Sequence, residues 1–354
     1  MSEAEQILSE VARVIESEDF IERHKTQESA FTRKRKLSAR DVIQFVLTLM
    51  GTTQPFELER YFAETKQRPV AAGSMTKART KLSWSAFREM LRLIVGMAAA
   101  PCNFQGYRLI GFDGMQGDLP RTEEMLTKYP PKEGVRTPKF HAVSAYDVLN
   151  KTFLDAQFLP SPCDEREAAL RLIQSLALDS NTIALFDRGF PSIRLIQALE
   201  EKGIPYVMRV SGSFIAEVND FTKSDATDEI INIRYTKRRA VVSRIQCETP
   251  WNSRVRAVRI LLPKNGGEEV LLTSLTNLSV DQLAEIYRLR WEIETGHNYL
   301  KNAIRIEAFM GTLENSIKQE FYAALFSYNI TSLLCAQAQG VQLKKIHLQA
   351  GDQP

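Results

Sequence analysis

Two short stretches, Tyr107-Arg108-Leu109-Ile110-Gly111-Phe112-Asp113 and Thr182-Ile183-Ala184-Leu185-Phe186-Asp187, decide the fold. Each is a mostly apolar run that reads as a strand ending on a carboxylate. Between them, Lys139 to Tyr146 and Thr152 to Leu159 read as two more strands, joined across Asp147 to Lys151 by a hairpin-like turn. Asp164 to Leu178 sets Ala168, Leu170, Leu172, Ile173 and Leu176 at helical spacing. Pro191 to Lys202 predicts a helix with proline near its first turn, and Tyr206 to Val210 a further strand. Three strands joined by hairpins, then helix, strand, helix, strand, predict a mixed α/β sheet with helices packed on it.

That order is the order of the ribonuclease H-like fold. Working outward, the first hundred residues read as helical. Ala4 to Ser17 has Ile7, Leu8, Val11, Val14 and Ile15 at helical spacing. Ser38 followed by Asp41 predicts an N-cap for a helix over Ala39 to Met50. Phe56 to Glu64, Ser74 to Leu82 and Trp84 to Ala99 follow, the last capped by Ser83. On the other side, Gly212 to Val280 reads as a β-rich insertion with strands at Ile230 to Tyr235, Ala240 to Gln246, Val255 to Leu262 and Glu269 to Ser274. Ser279 then caps a single long helix, Asp281 to about Arg305, and a last helix spans Leu313 to about Gln337. The predicted organisation is a helical N-terminal region (1–100), the first part of the mixed α/β domain (101–211), the β-rich insertion (212–280), the second part of that domain (281–340) and a tail (341–354).

Composition bounds the class. The 354 residues suffice for about two domains. Hydrophobic content of 44% and charged content of 25% are those of an ordinary globular chain. No apolar run reaches the roughly 18 residues of a membrane span. The acidic N-terminus, Met1 to Glu10, is unlike a signal peptide, so the expected location is the cytoplasm. The four Cys and four His are scattered and lack the paired spacing of a zinc site. No Walker A, Gly-x-Gly-x-x-Gly or Gly-x-Ser-x-Gly segment occurs. Hydrolytic or transfer chemistry would therefore rest on carboxylates. The net charge of +3 points to no partner by itself.

Asp113 and Asp187 are those carboxylates. In such a sheet their strands lie side by side, and two acids held together there need a cation. Mg²⁺, a hard ion that takes carboxylates and keeps phosphate oxygens or water, is the natural one. Two such ions would activate a nucleophile and stabilise a leaving oxygen at phosphorus. Taken singly, each Asp reads equally as a strand-end turn residue. The helix from Asp281 adds a second pattern: Tyr287, Arg290, Glu294 and Lys301 fall on one stripe. Glu294 would complete the metal site with Arg290 and Lys301 holding phosphates on either side. The alternative is a solvated face of ion pairs worth a few tenths of a kcal/mol each. Glu292 lies roughly 200° around the helix from Glu294 and cannot face the same metal.

Tyr-x2-Arg-x3-Glu-x6-Lys, complete here as Tyr287, Arg290, Glu294 and Lys301, resembles the signature of the DDE transposases of bacterial insertion sequences, insertion-sequence-4 type. Asp113 in Gly-Phe-Asp-Gly and Asp187 in Leu-Phe-Asp-Arg-Gly-Phe resemble that family's first and second acid motifs. The resemblance spans roughly residues 35–340, insertion included. It implies a triad of Asp113, Asp187 and Glu294 binding two Mg²⁺ or Mn²⁺ ions. The implied chemistry is cleavage at the transposon end, then attack of the freed 3′-hydroxyl on target DNA, through a hairpin intermediate in some relatives. It also implies contacts of Tyr287, Arg290 and Lys301 to the DNA backbone, and self-association on double-stranded DNA. Arg188 is a phosphate partner by position alone.

Basic clusters suit the same partner: Arg33 to Arg40, Lys77 to Lys81, and, in the insertion, Arg234, Lys237, Arg238, Arg239, Arg244, Arg254, Arg256 and Arg259. Trp251 would stack an unpaired base or, equally, fill a core. His297, one turn beyond Glu294, reads as a neutral residue on the helix surface. Two rivals share the acids: a ribonuclease H-like nuclease or resolvase without transposition, and a non-catalytic DNA-binding relative.

Overall fold

A computed structural model describes residues 3–32, 36–97, 102–234, 236, 252–261, 267–302 and 304–338. Six helices come first: α1 (Glu3–Ile15), α2 (Glu18–His24), α3 (Ala39–Leu47), α4 (Gln54–Thr65), α5 (Ala72–Arg79) and α6 (Ser85–Met97). The predicted cap of α3 is a capping box: Ser38 Oγ accepts from the Asp41 amide while the Asp41 carboxylate accepts from the Ser38 amide. The helix stops at Leu47, short of Met50. The short α2 lacks the length for a periodic signal, yet Ser17 caps it by accepting from the Phe20 amide.

The sheet follows: β1 (Arg108–Asp118), β2 (Lys139–Asp147), β3 (Thr152–Pro160), β4 (Thr182–Phe186), β5 (Tyr206–Val210), β6 (Asp228–Arg234), β7 (Asn252–Leu261) and β8 (Glu268–Thr273). Helices α7 (Glu123–Lys128), α8 (Glu165–Ser175), α9 (Ile193–Glu201) and α10 (Ala216–Lys223) connect them. The eight strands form one sheet in the order β3-β2-β1-β4-β5-β8-β7-β6. β4 lies parallel to β1 and β5, and the remaining pairings are antiparallel. The strands of the insertion therefore extend the same sheet beyond β5. The strand expected at Ala240 to Gln246, the turn at 263–266 and Trp251 lie outside the described residues.

Asp113 does not end its strand, as the apolar run suggested. β1 continues to Asp118, because after its parallel partner stops it still pairs with β2, from Asp113↔Ser144 to Asp118↔Lys139. The long helix expected over Asp281 to Arg305 is also two: α11 (Val280–Leu289) and α12 (Trp291–Asn302). At the junction, Arg290 N bonds to Tyr287 O at 3.2 Å and Ile293 N to Arg290 O at 3.1 Å. These i→i−3 bonds tighten the backbone into a 3₁₀-like turn. The last helix is α13 (Glu314–Ala338).

Strand alternation sorts the core into two layers. Leu109 and Met115 of β1 pack with α1–α6, α12 and α13, whereas Ile110 and Phe112 pack with α8 and α9. Phe112 stacks on Phe186 of β4 with ring centroids 4.9 Å apart. The residue after each phenylalanine, Asp113 and Asp187, accordingly faces the layer that carries α11 and α12.

Candidate active site

The parallel register ends at Phe112↔Phe186, so Asp113 and Asp187 are the next residues along two adjacent strands. Asp187 is the more enclosed. Tyr287 Oη donates to its Oδ1 at 3.0 Å, Arg209 Nη2 lies 2.9 Å from Oδ1, and Arg290 Nη2 lies 3.8 Å from Oδ2. Burial raises the Asp187 pKa, but the Arg290 charge, the Arg188 amide, the Arg209 charge and the Tyr287 hydroxyl together outweigh it and leave the carboxyl below its ordinary range. Burial, and then the charge of Asp187, holds the Tyr287 hydroxyl well above its ordinary value, so it stays a donor.

Arg290 sits at the tightened turn between α11 and α12. It is only 3% exposed. Its Nη2 reaches Glu294 Oε1 at 3.1 Å, so one nitrogen stands between the second Asp and the Glu. Its Nε and Nη1 are buried without a hydrogen-bond partner. Unpaired N–H groups on a buried cation are costly, and an anion entering the site would satisfy them. Arg209, on β5, also carries a buried, unpartnered Nε, and its Nη1 is held by Glu269 of β8 at 3.1 Å.

Asp113 is approached from α12 by His297, whose Nδ1 lies 3.6 Å from Oδ2. His297 Nε2 is 2.8 Å from Ser144 Oγ, and its ring stacks on Phe153. Ser144 is the β2 partner of Asp113 in the sheet register. His297 is thus buried between sheet and helix, not on a helix surface: Gly296 brings α12 close enough that a Cβ there would stand 3.1 Å from Tyr146. Lys301 Nζ donates to the Gln116 carbonyl at 3.0 Å, placing the last member of the stripe over β1. Arg188 is exposed beside Asp187 and forms no ion pair among the described residues. Glu292 points away, toward Lys151 at 3.5 Å. Next to Arg290, Trp291 is 62% exposed.

Asp113, Asp187, Tyr287, Arg290 and Glu294 therefore gather at one place, with Lys301 two turns along. Arg209, Ser144 and the inward face of His297 were not read from the sequence. Arg209 had one signal, a lone cation in the apolar strand Tyr206–Val210. Among the described residues no three His, Cys, Asp or Glu side chains stand close enough to hold a metal as they are placed. The donor set is nevertheless all carboxylate oxygen, the chemistry a hard divalent ion takes. The guanidinium groups of Arg290 and Arg209 both stand within ion-pair distance of Asp187, and that of Arg290 also reaches Glu294.

Several basic residues expected to meet DNA are used internally. Arg256 Nε and Nη2 bind Asp228 at 2.8 and 2.6 Å, and its Nη1 donates to the Leu275 and Leu278 carbonyls. Arg259 pairs with Glu268 at 2.8 Å and lies over the Phe221 ring. Arg254 is exposed on β7. Arg33 to Arg35, Lys237 to Arg239 and Arg244 lie outside the described residues.

A family model described as a transposase DDE domain matches residues 111–330. The chain is 22% identical over 278 residues to transposase InsG of insertion sequence element IS4 from Escherichia coli (strain K12), a match that takes in 74% of this chain and 60% of that protein. It is 28% identical over 158 residues to a Synechocystis protein named for the transposase of element IS4SA, covering 44% of this chain and 41% of that one. The chain thus matches less than two thirds of the length of these relatives. Among solved structures, the piggyBac transposase in a synaptic complex with hairpin DNA aligns with a TM-score of 0.50 at 12% identity. That alignment covers 95% of this chain and 77% of the piggyBac chain, and it is a likeness of fold.

Proposed function

The chain belongs to the transposase DDE domain family, and from that premise we propose that it is a DNA transposase of insertion-sequence-4 type. It would cleave at transposon ends and transfer the freed 3′-hydroxyl into target DNA. The observation that carries the reading is the meeting of Asp113 and Asp187, neighbours by strand register, beneath the helix pair that presents Tyr287, Arg290 and Glu294. The strand order β3-β2-β1-β4-β5 supports a ribonuclease H-like catalytic domain over 101–211 and 281–340. On this reading 212–280 is an insertion whose strands lengthen the sheet, and 1–100 is the DNA-binding region.

Asp113, Asp187 and Glu294 would hold two Mg²⁺ or Mn²⁺ ions, which when bound supply Lewis acidity and an activated nucleophile. The chain's own residues do the rest. Arg290 has two buried, unpartnered nitrogens to offer a phosphate, and its charge disfavours protonation of Asp187. Tyr287 keeps its proton, orients the Asp187 carboxylate and leaves one oxygen of it free of its own bond. His297, steadied by Ser144, orients Asp113. Lys301 and the exposed Arg188 would take backbone phosphates flanking the scissile bond. Double-stranded DNA, as transposon end and as target, is the partner, with self-association needed to bring two ends together. Among the described residues no helix is long and apolar enough to cross a membrane.

The test is a cleavage assay on DNA carrying the ends of the element that encodes the chain, with Mg²⁺, Mn²⁺ or chelator. Metal-dependent nicking at the end and joining to a target plasmid are expected, both absent in Asp187→Ala. Binding without nicking at any metal concentration would leave only a DNA-binding protein. Nicking without joining would leave a nuclease.

A further inference from the structure

Parallel pairing between β1 and β4 stops one residue before the two aspartates. Beyond that point the sheet itself no longer fixes how far apart they stand. The first turn of α8 fills this gap from the opposite face of the sheet. A Cβ at Gly114, the residue after Asp113, would overlap Oε1 of Glu165 and come within 2.7 Å of His141 Nε2. A Cβ at Gly189, two residues after Asp187, would stand 3.7 Å from Oε2 of the same carboxylate. Glu165 therefore turns one oxygen to the backbone that follows each acid. Its neighbour Arg166 donates Nε to the Gly189 carbonyl at 3.0 Å. Glu167, next again, holds Arg194 of α9 at 2.7 Å.

The Glu165 carboxylate is itself steadied. His141 Nε2 approaches Oε1 at 2.6 Å, within ion-pair distance though off the angle of a hydrogen bond. His141 Nδ1 lies 3.2 Å from Gln116 Nε2 on β1, and the ring is buried. Asp164 anchors the start of α8 by accepting from the Arg166 and Glu167 amides. Each partner of Glu165 is thus tied to the sheet or to the helix start.

We propose that Glu165, held by His141 and assisted by Arg166, is a positioning brace that fixes the separation of Asp113 and Asp187 and so tunes their joint affinity for a divalent cation. It rests on the reading of those two acids as metal ligands. Glu165 acts through the backbone and from the face opposite the acids, and is not itself a ligand in this proposal. The brace also explains the glycine of Gly-Phe-Asp-Gly: the pair occupies the space that any side chain at 114 would need. His141 adds a supporting point. Burial lowers its pKa, but Cys163 and Glu165 outweigh that and raise it to about 9, so the imidazolium and carboxylate face each other as opposite charges at neutral pH.

The experiment titrates the full chain with Mn²⁺, following free Mn²⁺ by electron paramagnetic resonance, and records thermal melting alongside. Glu165→Ala is expected to weaken Mn²⁺ binding about 10-fold, the size typical of groups that support metal ligands. Glu165→Gln, which keeps length and one acceptor oxygen, recovers most of that loss. Arg166→Ala changes an exposed side chain, folds normally and weakens binding in the same direction by a smaller factor. Wild-type Mn²⁺ affinity in folded Glu165→Ala overturns the brace. Should Glu165→Ala fail to fold, wild-type affinity in Arg166→Ala overturns it instead. Asp113→Ala is the control on the premise: if that variant also binds Mn²⁺ like wild type, the metal reading of the acids fails, and the brace falls with it.

Discussion

Arg290 shows what a sequence pattern can and cannot carry. Its place in the stripe with Tyr287 and Glu294 was legible, because 3.6-residue periodicity needs no knowledge of the rest of the chain. That it would be buried, bridge two acids and leave two nitrogens unpaired was not legible, because those facts depend on β4 and β5. Arg209, Glu165 and His141 were missed for the same reason: each meets its partner across elements separated in the chain, and neighbours in sequence give no hint of it. His141 supports a prediction at this scale. With a folded pKa raised to about 9 against about 6.5 when unfolded, its pairing stabilises the protein fully below pH 6.5 and is lost as pH rises through 9. Urea midpoints are expected to fall across that window by the equivalent of about 1–2 kcal/mol, after allowing for the partial exposure of Glu165. His141→Gln should flatten that part of the pH profile. An undiminished fall in the variant would assign the dependence to other groups.

At the scale of elements, the helices before β1 are locked to the sheet and to α13 by buried charge. Asp155 of β3 accepts from Arg88 Nε and Nη2 at 2.7 Å each, and Arg92 of α6 joins the pair. Arg79 of α5 donates to Gln319 Oε1 at 3.1 Å, to the Ser316 carbonyl at 2.9 Å and to Glu320 at 2.7 Å, all on α13. The sequence grouped Arg79 with Lys77 and Lys81 as a DNA-facing run. A charge run looks alike whether it faces solvent or a partner helix, and only the burial of α5 against α13 separates them. Arg79→Ala leaves the Glu320 carboxylate short of its cation and should cost about 3 kcal/mol, read from urea unfolding. DNA affinity measured where the variant remains folded should be unchanged. Weaker binding without lost stability would return Arg79 to the DNA-facing set.

Across the whole molecule, a net charge of +3 conceals segregation. Acids converge at the end of the parallel strands, whereas a group of cations free of ion pairs lies on α5 and in the loops before α3 and after α5. There Lys36, Lys77 and Lys81 line a cleft of about 450 Å³ with Ser29, Ser74 and Thr80. None of these three lysines forms an ion pair with another described residue, in contrast to Arg256 and Arg259 of the insertion, which are spent on Asp228 and Glu268. Composition could not distinguish the two groups, since a guanidinium counts the same whether it meets a carboxylate or solvent. If the cleft tracks a DNA backbone, each lysine releases about one counterion per phosphate it meets. Lys77→Gln with Lys81→Gln should then make the plot of log affinity against log salt shallower by about 2, and equally so on transposon-end and unrelated duplexes. A paired loss confined to the end sequence would mean these lysines read bases. An unchanged slope would move the backbone contact off this face, toward Arg188, Arg254 and Lys301.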